Sequence, residues 1–298
     1  MILYLGRKTE ITTEMMTEME REMTITQAQL KEFEGQLIAE EKSELTTEKY
    51  MRDVRRFAEY VGNRPLSKEM VIMYKGMLQE EDYRPGSINS MLVSVNRFLT
   101  GIGNGEMRIK HLKLQSRPYV SAEKELKRHE YIRLLKAAER NPRLQLIIET
   151  ICSTGIRVSE LKYFTVSGVR TGEIEVSCKG KIRVIIIPGR LRRKLIRYCS
   201  SNGIREGIIF RTRYGNPINR SNIWAELKRL GRAAGIDSGK VYPHNLRKLF
   251  AKCFYRVKRD LSKLADVLGH ASINTTRIYI METSREHRRI VDGLGLVL

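Results

Sequence analysis

Cysteine is scarce in this chain: the 298 residues hold four (Cys152, Cys178, Cys199, Cys253), widely spaced and without a CxxC pair. That spacing excludes a disulfide framework and offers no zinc-ligand set, and it suits a reducing cytoplasm. Long apolar runs are missing too. None approaches the ~18 residues that a membrane span needs. The first ten residues, MILYLGRKTE, carry too short an apolar stretch and no small-residue cleavage site for a signal peptide. Acidic residues are the third shortage, with 34 Asp and Glu against 55 Lys and Arg, a net charge of +21. At 41% hydrophobic and 30% charged the chain can bury a core. The expectation is therefore a soluble, intracellular, strongly basic protein whose first partner to consider is a polyanion.

The charge is unevenly placed. Residues 1–48 carry 5 basic and 11 acidic residues, residues 49–120 carry 13 and 7, and residues 121–298 carry 37 and 16. The whole net excess thus lies after residue 120, behind an acidic leader and a basic second segment. Such a division suits segments with different tasks and not a uniformly basic coat.

Periodicity divides the chain further. Residues 1–24, rich in Met, Thr and Glu, read as an acidic extension. Residues 25–103 read as a module of four helices. Leu30, Phe33, Leu37 and Ile38 share one face of the first; Thr46 or Thr47 caps a second bearing Tyr50, Val54, Phe57 and Val61. Ser67 caps a third, and Ser87, after the turn Arg84-Pro85-Gly86, caps a fourth ended by Gly101 and Gly103. Residues 104–122, aperiodic and containing Pro118, read as a linker, and 123–298 as a mixed α/β domain. That domain has one antiparallel hairpin, Glu173–Cys178 and Arg183–Pro188, among helices. The lone Trp224, spaced with Leu227 and Leu230, reads as core.

Five short elements of the second domain carry chemistry. TGIRVSEL sets Arg157 after a glycine turn at the head of a helix; Lys179 stands at the hairpin tip; PHNLR places His244 and Arg247 on one helix face; LGH ends a helix at His270; and Tyr279 follows nine residues later. Two arginines, two histidines and a lysine are what a phosphodiester needs around it. Guanidinium forks hold the non-bridging oxygens and stabilise charge that grows on phosphorus. A tyrosine can attack to give a covalent phosphotyrosine, and a neighbouring histidine can take the phenolic proton. A lysine among other cations can protonate the departing 5′-hydroxyl. No acidic cluster has Mg²⁺ spacing, so metal-dependent nuclease chemistry has no support in the sequence, and no cofactor or metal is expected.

The ordered set Arg157, Lys179, His244-x-x-Arg247, His270, Tyr279 resembles the tyrosine recombinase (phage integrase) family, and most closely its Xer-type, two-domain members. The resemblance spans roughly residues 26–298. It implies a mainly α fold: a four-helix, SAM-like core-binding domain and a mixed α/β catalytic domain with a small antiparallel sheet, closing on duplex DNA as a C-shaped clamp. It further implies that Arg157 and Arg247 clamp the scissile phosphate, that His244 bonds it and accepts the tyrosine proton, and that His270 adds a hydrogen bond. Lys179 is then the general acid, Tyr279 the nucleophile of a 3′-phosphotyrosyl link, and Glu160 a support behind the site. The hairpin turn is one residue shorter than usual, which leaves Lys181 as the alternative to Lys179. Lys248 stands where Xer-type proteins often have His.

The same resemblance implies cutting and rejoining of double-stranded DNA at specific core sites, for integration, excision, inversion or dimer resolution. Two subunits would occupy each site and four the synapse, with heterologous recombinases or accessory proteins as further partners and residues 293–298 docking on a neighbouring subunit. Rival readings are a type IB-like topoisomerase, a telomere resolvase, or a DNA-binding regulator without turnover. Candidate DNA contacts are Arg52, Arg55, Arg56, Arg84 and Arg97 in the first module. In the second, Arg211, Arg213 and Arg220 flank the turn Tyr214-Gly215-Asn216-Pro217. The run Arg190, Arg192, Arg193, Lys194, Arg197 is either a solvated helix face or a further phosphate contact.

Overall fold

The structure is a computed structural model and describes residues 24–114, 125–178, 181–281 and 284–294. Residues 1–23 of the acidic extension, Lys179 and the last four residues of the apolar tail therefore lie outside the described residues. The chain divides into two compact units, Met1–Ser116 and Arg117–Leu298, with the boundary inside the stretch expected to be a linker.

The first unit contains helices α1 (Gln27–Ala39), α2 (Glu44–Val61), α3 (Lys68–Glu80) and α4 (Pro85–Gly101). Thr26 caps α1 in a reciprocal box with Gln29, which satisfies two otherwise orphaned N–H groups. Leu30, Phe33 and Leu37 are buried, whereas Ile38 is 64% exposed: it lies one step, about 100°, round the helix from Leu37. Helix α2 starts earlier than expected, after Ser43, because Thr46 and Thr47 already belong to its first turn. Ser67 caps α3 as read, its Oγ accepting from the Met70 N–H at 3.2 Å. Helix α4 begins at Pro85 and not after Ser87, since proline's fixed φ and missing N–H fit the first helical position.

Two apolar clusters hold these helices together. One joins Leu30, Phe33 and Leu37 to Met51, Val54 and Phe98; the other runs from Phe57 and Val61 through Val71, Tyr74 and Leu78 to Leu92 and Leu99. The start of the expected linker is packed, not free. Asn96 exchanges two hydrogen bonds with the backbone of Ile109 (2.9 and 3.1 Å), and Asn89 does the same with Leu112 (2.9 and 2.7 Å). Its lack of helical period reflects an extended strip pinned to α4 by side-chain amides.

The second unit runs α5 (Arg128–Ala137), α6 (Pro142–Thr154), a 3-10 helix (Val158–Tyr163), α7 (Val166–Thr171), β1 (Glu173–Cys178), β2 (Lys181–Ile186), α8 (Gly189–Ser201), α9 (Arg220–Ala233), α10 (Pro243–Lys258), α11 (Leu261–Leu268), α12 (Ile273–Ile280) and α13 (Ser284–Asp292). β1 and β2 pair antiparallel, with Val176 opposite Arg183 and Cys178 opposite Lys181. Side chains alternate across the sheet: Ile174, Val176 and Ile185 enter the core, while Ile182, Val184 and Ile186 face out. A large cluster built on α6, the sheet, α8 and α9 reaches Leu246 of α10. A smaller one joins Ala251, Leu264, Leu268 and Tyr279, and thereby seats α10, α11 and α12 on one another. Trp224 is 51% exposed, with Lys228 Nζ 5.1 Å from its ring centroid, so it is a surface residue and not core. Ile223 and Leu227 carry that part of α9 into the interior, with Leu230 packed partly against the same core. Among the described residues no helix is long and apolar enough to cross a membrane.

Candidate active site

Two glycines set the backbone of the site. Gly155 ends α6 at φ +66°, and a Cβ there would stand 2.3 Å from the Phe250 ring; Gly269 ends α11 at φ +64°, where a Cβ would stand 2.6 Å from Arg183 Cδ. Both positions need a left-handed turn and close approach, which only glycine gives without strain. The turns aim the carbonyls of Gly155, Leu268 and Gly269 at the arginines.

Arg247, on α10, is 2% exposed. Its Nη1 donates to the Gly155 carbonyl (2.5 Å) and its Nη2 to that of Leu268 (2.7 Å) and towards His270 Nε2 (2.9 Å). Its buried Nε–H has no hydrogen-bond partner among the described residues. Burial, then the neighbouring Arg157 charge, lowers its pKa to about 10, still cationic at neutral pH. An orphaned donor on a buried cation marks a place built for an anion.

Arg157 lies directly before the 3-10 helix, where an α-helix was expected. Its own N–H goes to Glu160 Oε2 (2.7 Å), its Nη1 to Glu160 Oε1 (3.0 Å) and its Nη2 to the Gly269 carbonyl (3.1 Å). Glu160 is buried and accepts a second guanidinium, Arg183 Nη2, at 2.5 Å.

Tyr279 is 6% exposed and its hydroxyl lies 3.3 Å from His244 Nδ1. The rings of His244 and His270 meet it edge-on, with centroids 5.0 and 5.1 Å away. Burial, then Arg247, Lys248 and Arg157, push the His244 pKa below its usual value, so the ring is neutral and Nδ1 can accept the phenolic proton. His270 is lowered further, to about 4, by burial and then by Arg247, Arg157, Arg183 and His244. Being neutral, it accepts from Arg247 at Nε2, which assigns the proton to Nδ1; from there it donates to buried Thr276 Oγ1 (2.8 Å).

Four sequence-identified residues thus converge round Tyr279 and a fifth, Glu160, stands behind them; Lys179 lies outside the described residues. Arg183 and Thr276 were missed. Arg183 had a signal: it shares its side of the strand with Ile185, which enters the core. Thr276 looked like an ordinary polar position on a short helix, and only the fold brings it under His270. Lys248 forms an ion pair with Glu125 (2.8 Å), which Lys252 also grips (2.5 Å). Among the described residues no group of three or more His, Cys, Asp or Glu could hold a metal ion.

The candidate DNA-contacting arginines differ in exposure and in their partners. Arg52, Arg55, Arg84 and Arg97 are exposed, as are Arg213 and Arg220. Arg56 is engaged with Tyr83 and Glu81 (2.5 Å each), Arg97 pairs with Glu40, and Arg211 is half-buried beside an isolated bridge to Pro217. In the basic run on α8, Arg192 is used structurally, donating to the carbonyls of Val169 (3.1 Å) and Arg170.

Comparison with known proteins gives one consistent answer. Residues 124–286 match the phage integrase family. The tyrosine recombinase XerA of Thermococcus kodakarensis is 28% identical over 278 residues, covering 90% of this chain and 95% of the relative. Among solved structures, a lambda integrase dimer bound to a COC′ core site superposes with a TM-score of 0.70 at 19% identity, covering 87% of this chain and 96% of that one. A lambda integrase tetramer bound to a Holliday junction gives 0.68 at 19% identity, covering 85% and 76%.

Proposed function

The chain belongs to the phage integrase family of tyrosine recombinases, enzymes that cut and rejoin DNA at specific sites, and from that premise we propose a mechanism built on Tyr279. The carrying observation is the Tyr279 hydroxyl 3.3 Å from neutral His244 Nδ1, beside a buried arginine that still has an N–H to give. Tyr279 Oη attacks the scissile phosphorus while its proton passes to His244. The bond to the 5′-oxygen breaks and Lys179 supplies that oxygen's proton. Arg157 and Arg247 hold the non-bridging oxygens and stabilise the charge gathering on them. The product is a 3′-phosphotyrosyl link, which keeps the energy of the broken ester so that a 5′-hydroxyl can later reverse the step without a nucleotide cofactor. His270 works here through Arg247: its Nε2, an acceptor in this tautomer, would have to release that partner and gain a proton before it could bond a phosphate oxygen.

The partner in this reading is double-stranded DNA. Two copies act per core site and four in the synapse, an arrangement supported by the likeness to lambda integrase bound as a dimer to a core site and as a tetramer to a Holliday junction. The four-helix unit is the core-binding domain, its exposed arginines gripping phosphates, and residues 293–298 dock on a neighbouring subunit. The test is incubation with nicked suicide duplexes drawn from a random-sequence pool. A covalent protein–DNA adduct is expected with the wild-type protein, and none with Tyr279→Phe. An adduct that survives that change would remove Tyr279 from the mechanism.

A further inference from the structure

β2 turns its two faces to different tasks. Ile182, Val184 and Ile186 point to solvent, and Arg183, between them, points inward with its side chain only 14% exposed. A guanidinium in that position must be fully engaged or costly. Arg183 is engaged through its two terminal nitrogens with elements far apart in sequence: Nη2 with Glu160 Oε2 of the 3-10 helix (2.5 Å) and Nη1 with the Val267 carbonyl at the end of α11 (2.5 Å), while its buried Nε–H has no hydrogen-bond partner among the described residues. Its Cδ and Nε run beneath Gly269, so closely that a Cβ there would sit 2.6 and 2.8 Å from them.

Glu160 therefore has two guanidiniums. Oε1 takes Arg157 Nη1, and Oε2 takes both the Arg157 N–H and Arg183 Nη2. A carboxylate held from both sides cannot rotate, so the direction of the Arg157 fork is set before substrate arrives. The other support of that fork is the Gly269 carbonyl, which accepts Arg157 Nη2 at 3.1 Å, and it belongs to the turn that Arg183 braces at Val267. Each bond that Arg157 makes thus passes through a group in contact with Arg183.

We infer that Arg183 is a positioning residue for Arg157: it locks Glu160 and the 267–269 turn so that the Arg157 guanidinium is preorganised for a phosphate that Arg183 itself never touches. Arg183 packs under Gly269 with both terminal nitrogens committed to protein acceptors. Arg183 also ties β2, four residues beyond Lys179, to the turn before His270. This role rests on the reading of Arg157 as a phosphate ligand, and partners of this kind are worth ~10–100-fold in activity.

The experiment is single-turnover covalent adduct formation on the nicked suicide duplexes at saturating protein, in a double-mutant cycle. Arg183→Met is expected to slow adduct formation ~10–100-fold with DNA affinity unchanged. In an Arg157→Ala background the same change is expected to cost little, since its effect is transmitted through the missing group. A neutral methylphosphonate at the scissile position should likewise shrink the Arg183→Met penalty. If Arg183→Met does not fold, Arg183→Lys serves in the same cycle, because one ammonium cannot span both Glu160 and Val267; a wild-type rate for Arg183→Lys overturns the proposal. An equal penalty in both Arg157 backgrounds, or a loss of DNA affinity matching the loss of rate, assigns Arg183 to general structure and overturns it too. Absence of any wild-type adduct would defeat the recombinase mechanism itself and this inference with it.

Discussion

In the first unit Arg56 and Arg97 lie at or near the surface beside Glu81 and Glu40, whereas in the second Arg157, Arg183 and Arg247 converge on one carboxylate and four main-chain carbonyls. The first arrangement leaves charge in water, where each pair is worth about 0–1 kcal/mol and salt screens it. In the second, Arg183 and Arg247 are taken out of water, Arg157 stays partly exposed, and the direction of all three is fixed by main-chain carbonyls and the buried Glu160. Surface arginines give affinity that sums over phosphates; buried ones give orientation, which cannot be summed and is lost whole.

The sharpest way to break the contrast is Arg247→Met. It leaves the Gly155 and Leu268 carbonyls without a donor, at ~1–3 kcal/mol each, and removes a transition-state contact worth ~10²–10³-fold. Adduct formation should fall by at least that factor, and a thermal melt should drop by roughly 5 °C or more. A variant that keeps the wild-type rate would show that the buried guanidinium is a packing device.

The surface half of the contrast is tested by salt. Arg55 and Arg84 are exposed and make no ion pair among the described residues, while Arg97 shares its charge with Glu40. If all three meet phosphate, Arg55→Ala and Arg84→Ala should each reduce the slope of log Kobs against log salt by about 1. Arg97→Ala should reduce it by less, because breaking its pair with Glu40 already offsets part of the gain. Equal slopes measured by fluorescence anisotropy would mean that the pairs in the first unit are irrelevant to binding.

Much of this was readable before any coordinates. Amphipathic spacing located the four α-helices described in the first unit, and the hairpin lay within two residues of its observed ends, because apolar periodicity is local and the core enforces it. What failed was local chemistry that a distant partner overrides. Ser43 precedes α2 although Thr46 and Thr47 look like caps, and Trp224 is outside because Ile223 and Leu227 are the residues that α9 turns into the core there. In the site, the ordered motifs yielded the residues that meet Tyr279, since each occupies a glycine turn or helix start visible in sequence. Arg183 escaped because its value lies in joining two segments, Glu160 and Val267, that sequence order keeps more than a hundred residues apart. Residues 109–112 escaped for the same reason: Asn89 and Asn96 hold them across distance in the chain.

The smallest expected effect tests whether buried charge tunes the site as well as building it. His244 must be neutral to take the Tyr279 proton, and its pKa is held below the usual histidine value by burial first, then by Arg247, Lys248 and Arg157. Removing a positive neighbour favours the protonated ring and raises that pKa. Lys248→Gln should therefore move the acidic limb of the rate profile to higher pH, while the rate on the alkaline plateau stays unchanged. The shift should be small, because Glu125 already opposes the Lys248 charge and remains gripped by Lys252 when Lys248 is gone. Adduct rates measured across the acidic range give the answer. A limb that moves to lower pH, or a plateau that falls with an unmoved limb, would mean that Lys248 acts on substrate and not on His244.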